Sequence, residues 1–333
     1  MIIPRKLLVL GANSFSGQDF VDYALDQMPG EILGVSRSPE RSALFLRYRS
    51  RSDLQRYRYF SLDMNRDAAA LLALCDEERP DAIVNFAAQS EVAPSWDHPQ
   101  HWFTTNTVAL AEFINHLRRQ DYLRRYLHIS SPEVYGSCVG TVTEDAALNP
   151  STPYAASKAA ADLLLGCYAQ QFGFPLLTVR ATNVFGARQQ LFKIIPRSFL
   201  YLRLGRTIQL HGGGSAVKSY IHVRDVSRGE WAILTSGQVG RIYHLSPDHG
   251  IAVCEVVKRI CAVVGADFEQ SVVTVGERLG QDAAYVIDST EARTALNWIP
   301  QISFDEGLQE VGLWVRNNWG ELKSRPLDYI HRA

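Results

Sequence analysis

An α/β fold, a doubly wound parallel sheet joined to a smaller mixed α/β part, is what this sequence predicts, and three observations predict it. Short β-branched runs alternate with amphipathic segments through the first half of the chain. The first of those runs stops at a glycine-bearing turn, "LGANSFSG". After about Arg180 the alternation gives way to shorter, irregular pieces. Alternation of that length places helices on both faces of parallel strands. Right-handed crossovers then bring the C-terminal end of every strand to one edge, where open α/β sheets bind ligands.

Taken in order, "KLLVL" is a strand followed by the helical "GQDFVDYALDQ", and "EILGVS" a strand followed by the polar, arginine-rich "RSPERSALFLRYRS". "YRYFSLD" precedes "DAAALLALCDEE", and "DAIVNFA" precedes "WFTTNTVALAEFINHLRR". "RRYLHIS" leads towards "YAASKAAADLLLGCYAQQF", and "FPLLTVR" closes the series. Beyond it, "LFKIIPRSFLYLRLG" reads as a helix and "RTIQLHGGG" as a strand into a glycine turn. "SYIHVRDVSRGEWAIL" reads as a strand then a helix, and "AVCEVVKRICAVV" and "FDEGLQEVGLWVRNNW" as helices. The expected division is a dinucleotide-binding part over 1–186 with about 219–250, and a substrate part over 187–218 and 251–330.

Composition narrows the function. The chain has 333 residues, too many for one small core, and 46% hydrophobic residues, which argues against extensive disorder. The net charge of −1 gives no global field for nucleic acid or an anionic membrane, so any anionic ligand must be held by local cations and backbone amides. No apolar run approaches the roughly 20 residues of a membrane span. The N-terminal "MIIPRKLLVLGAN" enters directly into a core strand and makes a poor signal peptide. Five cysteines, odd in number, scattered and without CxxC spacing, read as reduced thiols in a cytoplasmic protein with no metal site.

The glycine turn carries the first chemistry. Gly11 and Gly17 bracket a strand-to-helix junction, and the free N–H groups and partial positive charge of a helix N-terminus suit a pyrophosphate. Glycine allows the tight turn at Gly11 and close helix–strand packing at Gly17; Ser14 between them is small and can cap a free N–H. This is the Rossmann-type arrangement. An acidic residue ending the second strand would grip the ribose 2′-hydroxyl of NAD, but Ser36 and Arg37 stand there. Arginine suits a 2′-phosphate, so NADP is favoured over NAD. Arg37 and Arg41 read equally as solvated loop charges beside a bound NAD. Asp63, ending "YFSLD", either reaches the adenine or caps the next helix.

Tyr154 and Lys158, in "STPYAASKAAADLL", fall at i and i+4 on one helical face. An ammonium close to a phenol favours the phenolate and draws its pKa from about 10 towards neutrality. Such a pair can exchange a proton with a sugar hydroxyl while a nicotinamide exchanges a hydride.

With these residues in view, the chain resembles the extended short-chain dehydrogenases/reductases that modify nucleotide sugars, in their 4,6-dehydratase/epimerase branch. The resemblance runs through "LGANSFSG", "NFAAQSEV", "HISSPEVYG", "PYAASK", "RATNVFGARQQLFKIIPR", "HGGGSAVKSYIHVRDV" and "ERLGQDAAYVID". It implies cofactor contacts at Gly11, Asn13, Ser14, Phe15, Ser16, Gly17, Ser36, Arg37, Asp63, Met64, Phe86, Ala87, Ala88 and Lys158. It implies that Ser131 hydrogen-bonds the sugar O4 beside Tyr154 and that Glu133 removes the C5 proton once C4 is a ketone. Pro132 departs from the aspartate that many dTDP-glucose dehydratases place before that glutamate, and it has no proton to give.

For the substrate, the resemblance implies Asn183, Lys218 and Arg278 around the diphosphate and sugar. Lys193 and Arg197, at i and i+4 on the next predicted helix, add two positive charges to one face. Ser90 reads as a sugar contact and Glu91 as a second carboxylate nearby. The expected partner is a nucleotide-diphosphate sugar, with no nucleic acid and no membrane. "HWFTTNTVALAEFINHL" and the Tyr154 helix carry apolar residues on more than one face, which by the resemblance implies a homodimer or higher homo-oligomer. The reaction expected is oxidation at C4 and loss of water to a 4-keto-6-deoxy sugar. An NDP-sugar epimerase, an NADPH-dependent 4-ketosugar reductase and a non-catalytic NADP(H) sensor stay open beside it.

Overall fold

The computed structural model describes residues 1–137, 141–276 and 284–332. Its centre is a seven-stranded sheet, wholly parallel: β1 (Lys6–Leu10), β2 (Glu31–Ser36), β3 (Tyr57–Ser61), β4 (Ala82–Asn85), β5 (Arg125–Ile129), β6 (Leu176–Ala181) and β7 (Ile242–Leu245), in the order β7-β6-β5-β4-β1-β2-β3. The chain winds outward from β1 to β3, then returns to β4 on the other side of β1. That reversal opens a crevice beyond the C-terminal ends of β1 and β4.

The strands are apolar on both faces because both faces are covered. Leu7 and Val9 point into a core shared with Phe20, Val21 and Ala24 of α1 (Phe15–Gln27). Trp231 and Leu234 of a helix that follows later, Val223–Ser236, complete that side. Leu8 and Leu10 point the opposite way, towards Leu71 and Leu74 of α2 (Ala68–Glu78), Phe113 and Ile114 of α3 (Leu110–Leu117) and Leu165 of α4 (Pro153–Phe172). A third core, with Phe185, Phe199, Ile260, Val311 and Trp314, joins α5 (Ile194–Arg203) to helices Val253–Val264 and Phe304–Asn317.

Smaller sheets complete the second part. Residues 251–252, 217–218, 284–287 and 141–142 form one of four strands, in that order. Asn183–Phe185 pairs with Tyr220–His222, and Ile208–His211 with Val272–Val275, both parallel.

The arginine-rich crossing from β2 to β3 holds two short 3₁₀ turns, Arg47–Ser50 and Leu54–Arg56, and no longer helix. Its order comes from burial of Leu44, Phe45, Leu46 and Tyr48 and from Arg47, which meets Asp19 at 3.2 Å and Glu310 at 2.7 Å. Those partners lie far away in sequence, so local propensity does not decide the segment.

Candidate active site

The turn after β1 is built by its two glycines. Gly11 has φ +79°, and a Cβ there would lie 2.8 Å from the Ala87 nitrogen. A Cβ on Gly17 would sit 2.3 Å from the Gly11 carbonyl oxygen. Ser14 is the N-cap of α1, its hydroxyl accepting from the Gly17 N–H at 3.0 Å. The first-turn residues Phe15 and Ser16 line a cleft of about 320 Å³, within the range of ligand pockets. First-turn amides have no partner inside their helix and carry partial positive charge, so this cradle fits a dinucleotide pyrophosphate.

The loop after β2 is pinned to the same turn. The Asn13 N–H donates to Ser36 Oγ at 2.9 Å, and its side-chain amide donates to the Pro39 carbonyl at 2.9 Å and to Tyr59 at 2.7 Å. Arg37 is exposed and donates to the Arg332 carbonyl at 3.2 Å. Gln89 donates to that same carbonyl at 2.7 Å, so the C-terminal segment reaches the edge of the β2 and β4 loops. His331 seats it there, bonded to His101 at 2.8 Å and stacked on Trp102.

Asp63 and Met64 have partners within the fold. Asp63 accepts from the Asn65 N–H at 2.8 Å and closes its own loop, while Asp67, not Asp63, stands at the N-cap position of α2. Met64 is buried among Leu8, Leu10 and Leu33. After β4, Phe86, Ala88 and Ser90 line the cleft and Ala87 donates its N–H to Asn85 at 2.9 Å.

Tyr154 and Lys158 reach the cleft from α4, which starts at a Thr152 cap followed by Pro153 and ends at Gly173 in the left-handed region. Asn106 fastens this helix to the β4 loop, accepting from the Gln89 N–H at 2.9 Å and donating to Ser157 Oγ at 2.9 Å. Ser131 lies close enough to the Tyr154 phenol to lower its pKa, and it caps the 3₁₀ turn Pro132–Tyr135 by accepting from the Glu133 N–H at 3.2 Å.

The phenol is not drawn towards neutrality. Burial pushes its pKa up, the Glu133 carboxylate adds to that, and only the Ser131 hydrogen bond opposes it among the three strongest influences. The Lys158 ammonium instead donates to the Ile129 carbonyl at 2.7 Å. Burial lowers its pKa to about 8, with Asp162 acting the other way.

Asn183 and Lys193 line the opposite wall. Asn183 donates to the Ser219 carbonyl at 3.2 Å, and Lys193 pairs with Glu91 at 2.6 Å. Lys193 and Arg197 do not share a helical face. Lys193 is the extended N-cap residue of α5, because the ring of Pro196 would clash with the Phe192 carbonyl if the helix began a turn earlier. Arg197 lies in the helix with its guanidinium 5.8 Å from the Tyr201 ring centre. Lys218 is a half-buried strand residue opposite Ile251. Arg278 lies outside the described residues.

Sequence reasoning missed the residues behind the pair. Asp162 continues the i, i+4 stripe of Tyr154 and Lys158, and that spacing was the available signal. Its carboxylate accepts from Ser130 Oγ at 2.7 Å and from Arg180 at 2.7 Å. Among the described residues no group of acidic, histidine and cysteine side chains could hold a metal ion, and no helix is long and apolar enough to cross a membrane.

Comparison with known proteins agrees with this geometry. The family model described as GDP-mannose 4,6 dehydratase matches residues 8–311. The low-salt glycan biosynthesis protein Agl12 of Haloferax volcanii is 33% identical over 91% of this chain and 96% of its own. The dTDP-glucose 4,6-dehydratase of Neisseria meningitidis serogroup B is 29% identical over 94% of each. The crystal structure of DesIV, a dTDP-glucose 4,6-dehydratase from Streptomyces venezuelae with NAD and TYD bound, superposes with a TM-score of 0.87 at 32% identity, covering 95% of this chain and 98% of that one. Matched by that model over most of its length, and carrying a Tyr154–Lys158 pair beside a dinucleotide-type turn, the chain belongs to the GDP-mannose 4,6-dehydratase family.

Proposed function

We propose that this chain is a nucleotide-sugar 4,6-dehydratase, converting an NDP-hexose to a 4-keto-6-deoxy sugar with bound NAD(P), NADP being favoured. One observation carries the reading: the Tyr154 phenol, near enough to Ser131 and Glu133 for both to shift its pKa, opens on the same cleft as the first turn of α1.

Tyr154, which burial and Glu133 hold protonated in the free chain, must first release its own proton to solvent through the cleft. As phenolate it then takes the proton of the sugar 4-hydroxyl while Ser131 orients both oxygens. When bound, a nicotinamide dinucleotide supplies a hydride store, filled from C4 and emptied to C6, so no net redox change results. A ketone at C4 acidifies the C5 hydrogen, and Glu133 removes it as general base. Pro132 has no proton to offer, so the Glu133 carboxyl, now protonated, passes its proton to the hydroxyl leaving C6. As C6 gains hydride, C5 regains a proton from solvent, balanced by the one taken from O4. Lys193 and Asn183 hold the diphosphate, with Arg278 and Lys218 assigned to the same task from the resemblance. Ser36 and Arg37, in place of an acidic residue at the end of β2, support a 2′-phosphate.

Residues 1–186 with about 219–250 bind the dinucleotide in this reading, and 187–218 with 251–330 the sugar nucleotide. The enzyme works in the cytoplasm as a homodimer, joined through the faces of residues 104–117 and α4 that expose Val108 and Leu163.

Incubation of purified protein with a panel of nucleotide hexoses tests the reading. The expected product is lighter by one water and needs no added reductant. Pro132 favours an NDP-sugar epimerase as the second reading, and a product of unchanged mass would establish that instead.

A further inference from the structure

Behind the Tyr154–Lys158 pair lies a buried polar cluster that binding of neither cofactor nor sugar explains. Lys158, His128 and Arg180 are each at most 3% exposed. His128, on β5, directs Nε2 between two groups: Asp162 Oδ1 at 3.4 Å and Lys158 Nζ at 3.5 Å. The second Asp162 oxygen accepts from Ser130 and from Arg180, both at 2.7 Å. Arg180 also donates to the Tyr135 hydroxyl, which meets His244 Nε2 at 2.7 Å. His244 Nδ1 faces the Asp288 carbonyl at 2.8 Å, so its Nε2 is the acceptor.

Charge accounting makes Asp162 singular in this cluster. Lys158 and Arg180 bring two cations, and burial keeps His128 and His244 neutral, each pushed down to about 4. Asp162 is the carboxylate paired with Arg180 and 3.4 Å from the His128 nitrogen that Lys158 also approaches. Burial works against its charge, but its neighbours, Arg180 and Ser130 among them, keep it ionised, at about 2. Glu133 and Glu91 act on Tyr154, and Glu144 lies by His244. Two buried like charges without a counter-ion are costly, and the lysine is the one able to shed its proton. A cavity of about 280 Å³ is lined in part by Asp162, Arg180 and Thr178, and Lys158 itself lines the cleft, so the amine can equilibrate with bulk protons.

We propose that Asp162, beside the same His128 nitrogen that Lys158 approaches, is the positioning residue that keeps the Lys158 ammonium charged at the cleft. The helix places it there at no extra cost in order, since Tyr154, Lys158 and Asp162 share one stripe of α4. The inference rests on Lys158 being the working amine of the site proposed above.

The test is made on the full chain without cofactor or substrate, by NMR titration of ¹³C-labelled lysine. Lys158 is assigned from the resonance missing in Lys158→Met. In Asp162→Asn the Lys158 titration is expected to fall by about one unit or more, and Asp162→Glu to restore most of it. The alkaline limb of the kcat–pH profile should move to lower pH by the same amount, with KM for the sugar nucleotide unchanged. A folded Asp162→Asn protein with an unmoved Lys158 titration overturns the proposal, as does activity lost equally at every pH. Should that variant not fold, Asp162→Asn is made in an Arg180→Met background, and a Lys158 titration no lower there than in Arg180→Met alone is equally fatal. A lysine that shifts while turnover ignores it supports the positioning role and removes Lys158 from the proposed reaction.

Discussion

Lys193 and Glu91 lie 2.6 Å apart, joining the loop after β4 to the N-terminal end of α5 across the cleft. The pair is partly solvated, so its own worth is small, about 0–1 kcal/mol. Its meaning is for the ligand. A diphosphate drawn to Lys193 must share the ammonium with Glu91 or displace it. Lys193→Ala removes a charge-assisted hydrogen bond worth roughly 1.5–3 kcal/mol, so KM for the sugar nucleotide should rise about 10- to 100-fold with kcat little changed. Glu91→Gln frees the lysine and should lower KM. Steady-state kinetics at two ionic strengths checks both; a kcat loss in Lys193→Ala would move that residue from binding to chemistry.

Glu133 separates two halves of the proposed reaction. It faces Tyr154 closely enough to push the phenol pKa up, and Ser131 holds its backbone N–H. Glu133→Gln keeps the shape and removes the base. Mixing this variant with the correct sugar nucleotide should still give a rise in reduced nicotinamide absorbance, with no dehydrated product by mass spectrometry. Turnover should fall by about 10²–10⁴, the usual contribution of a positioned acid or base. Near-normal water loss would remove Glu133 from the mechanism.

These residues were legible to different degrees, for physical reasons. Leu7 to Leu10 announce a strand covered on both faces, and Gly11 and Gly17 announce the turn because a Cβ at either would strike backbone. Tyr154 and Lys158 are read from helical spacing alone. The role of Lys193 depended on where α5 begins, which a proline in its first turn decides. Contacts such as Arg37 with Arg332, 295 residues apart, leave no periodic trace, because only tertiary packing brings them together. His128, Asp162 and Arg180 come from β5, α4 and β6, and only the Lys158-to-Asp162 spacing hinted at them.

Arg37 gives the cofactor preference a direct reading. Its exposed guanidinium donates to the neutral Arg332 carbonyl, whereas a 2′-phosphate offers anionic oxygens in bidentate geometry. Arg37→Ala should weaken NADP about tenfold or more and leave NAD within a factor of two, measured as dissociation constants by calorimetry. Equal losses for both dinucleotides would assign Arg37 to holding the C-terminal segment instead.

Acid should loosen the fold through its buried histidines. His128 and His244 are neutral inside, pushed from 6.5 to about 4, chiefly by burial. Between those values the unfolded chain binds protons that the folded chain refuses. Stability is therefore fully present above about pH 6.5 and is lost as pH falls towards 4, by up to roughly 3 kcal/mol for each histidine. Glu230 acts in the opposite sense, since burial and Asp19 push its pKa well up and the folded state keeps its proton. The total slope thus mixes signs, and the difference between a variant and its parent isolates one group. His244→Gln keeps an amide that can donate to the Asp288 carbonyl and cannot titrate. Urea unfolding at pH 7 and pH 4.5 should show a smaller acid loss in that variant than in the parent. Equal losses in the two proteins would place the acid sensitivity elsewhere in the chain.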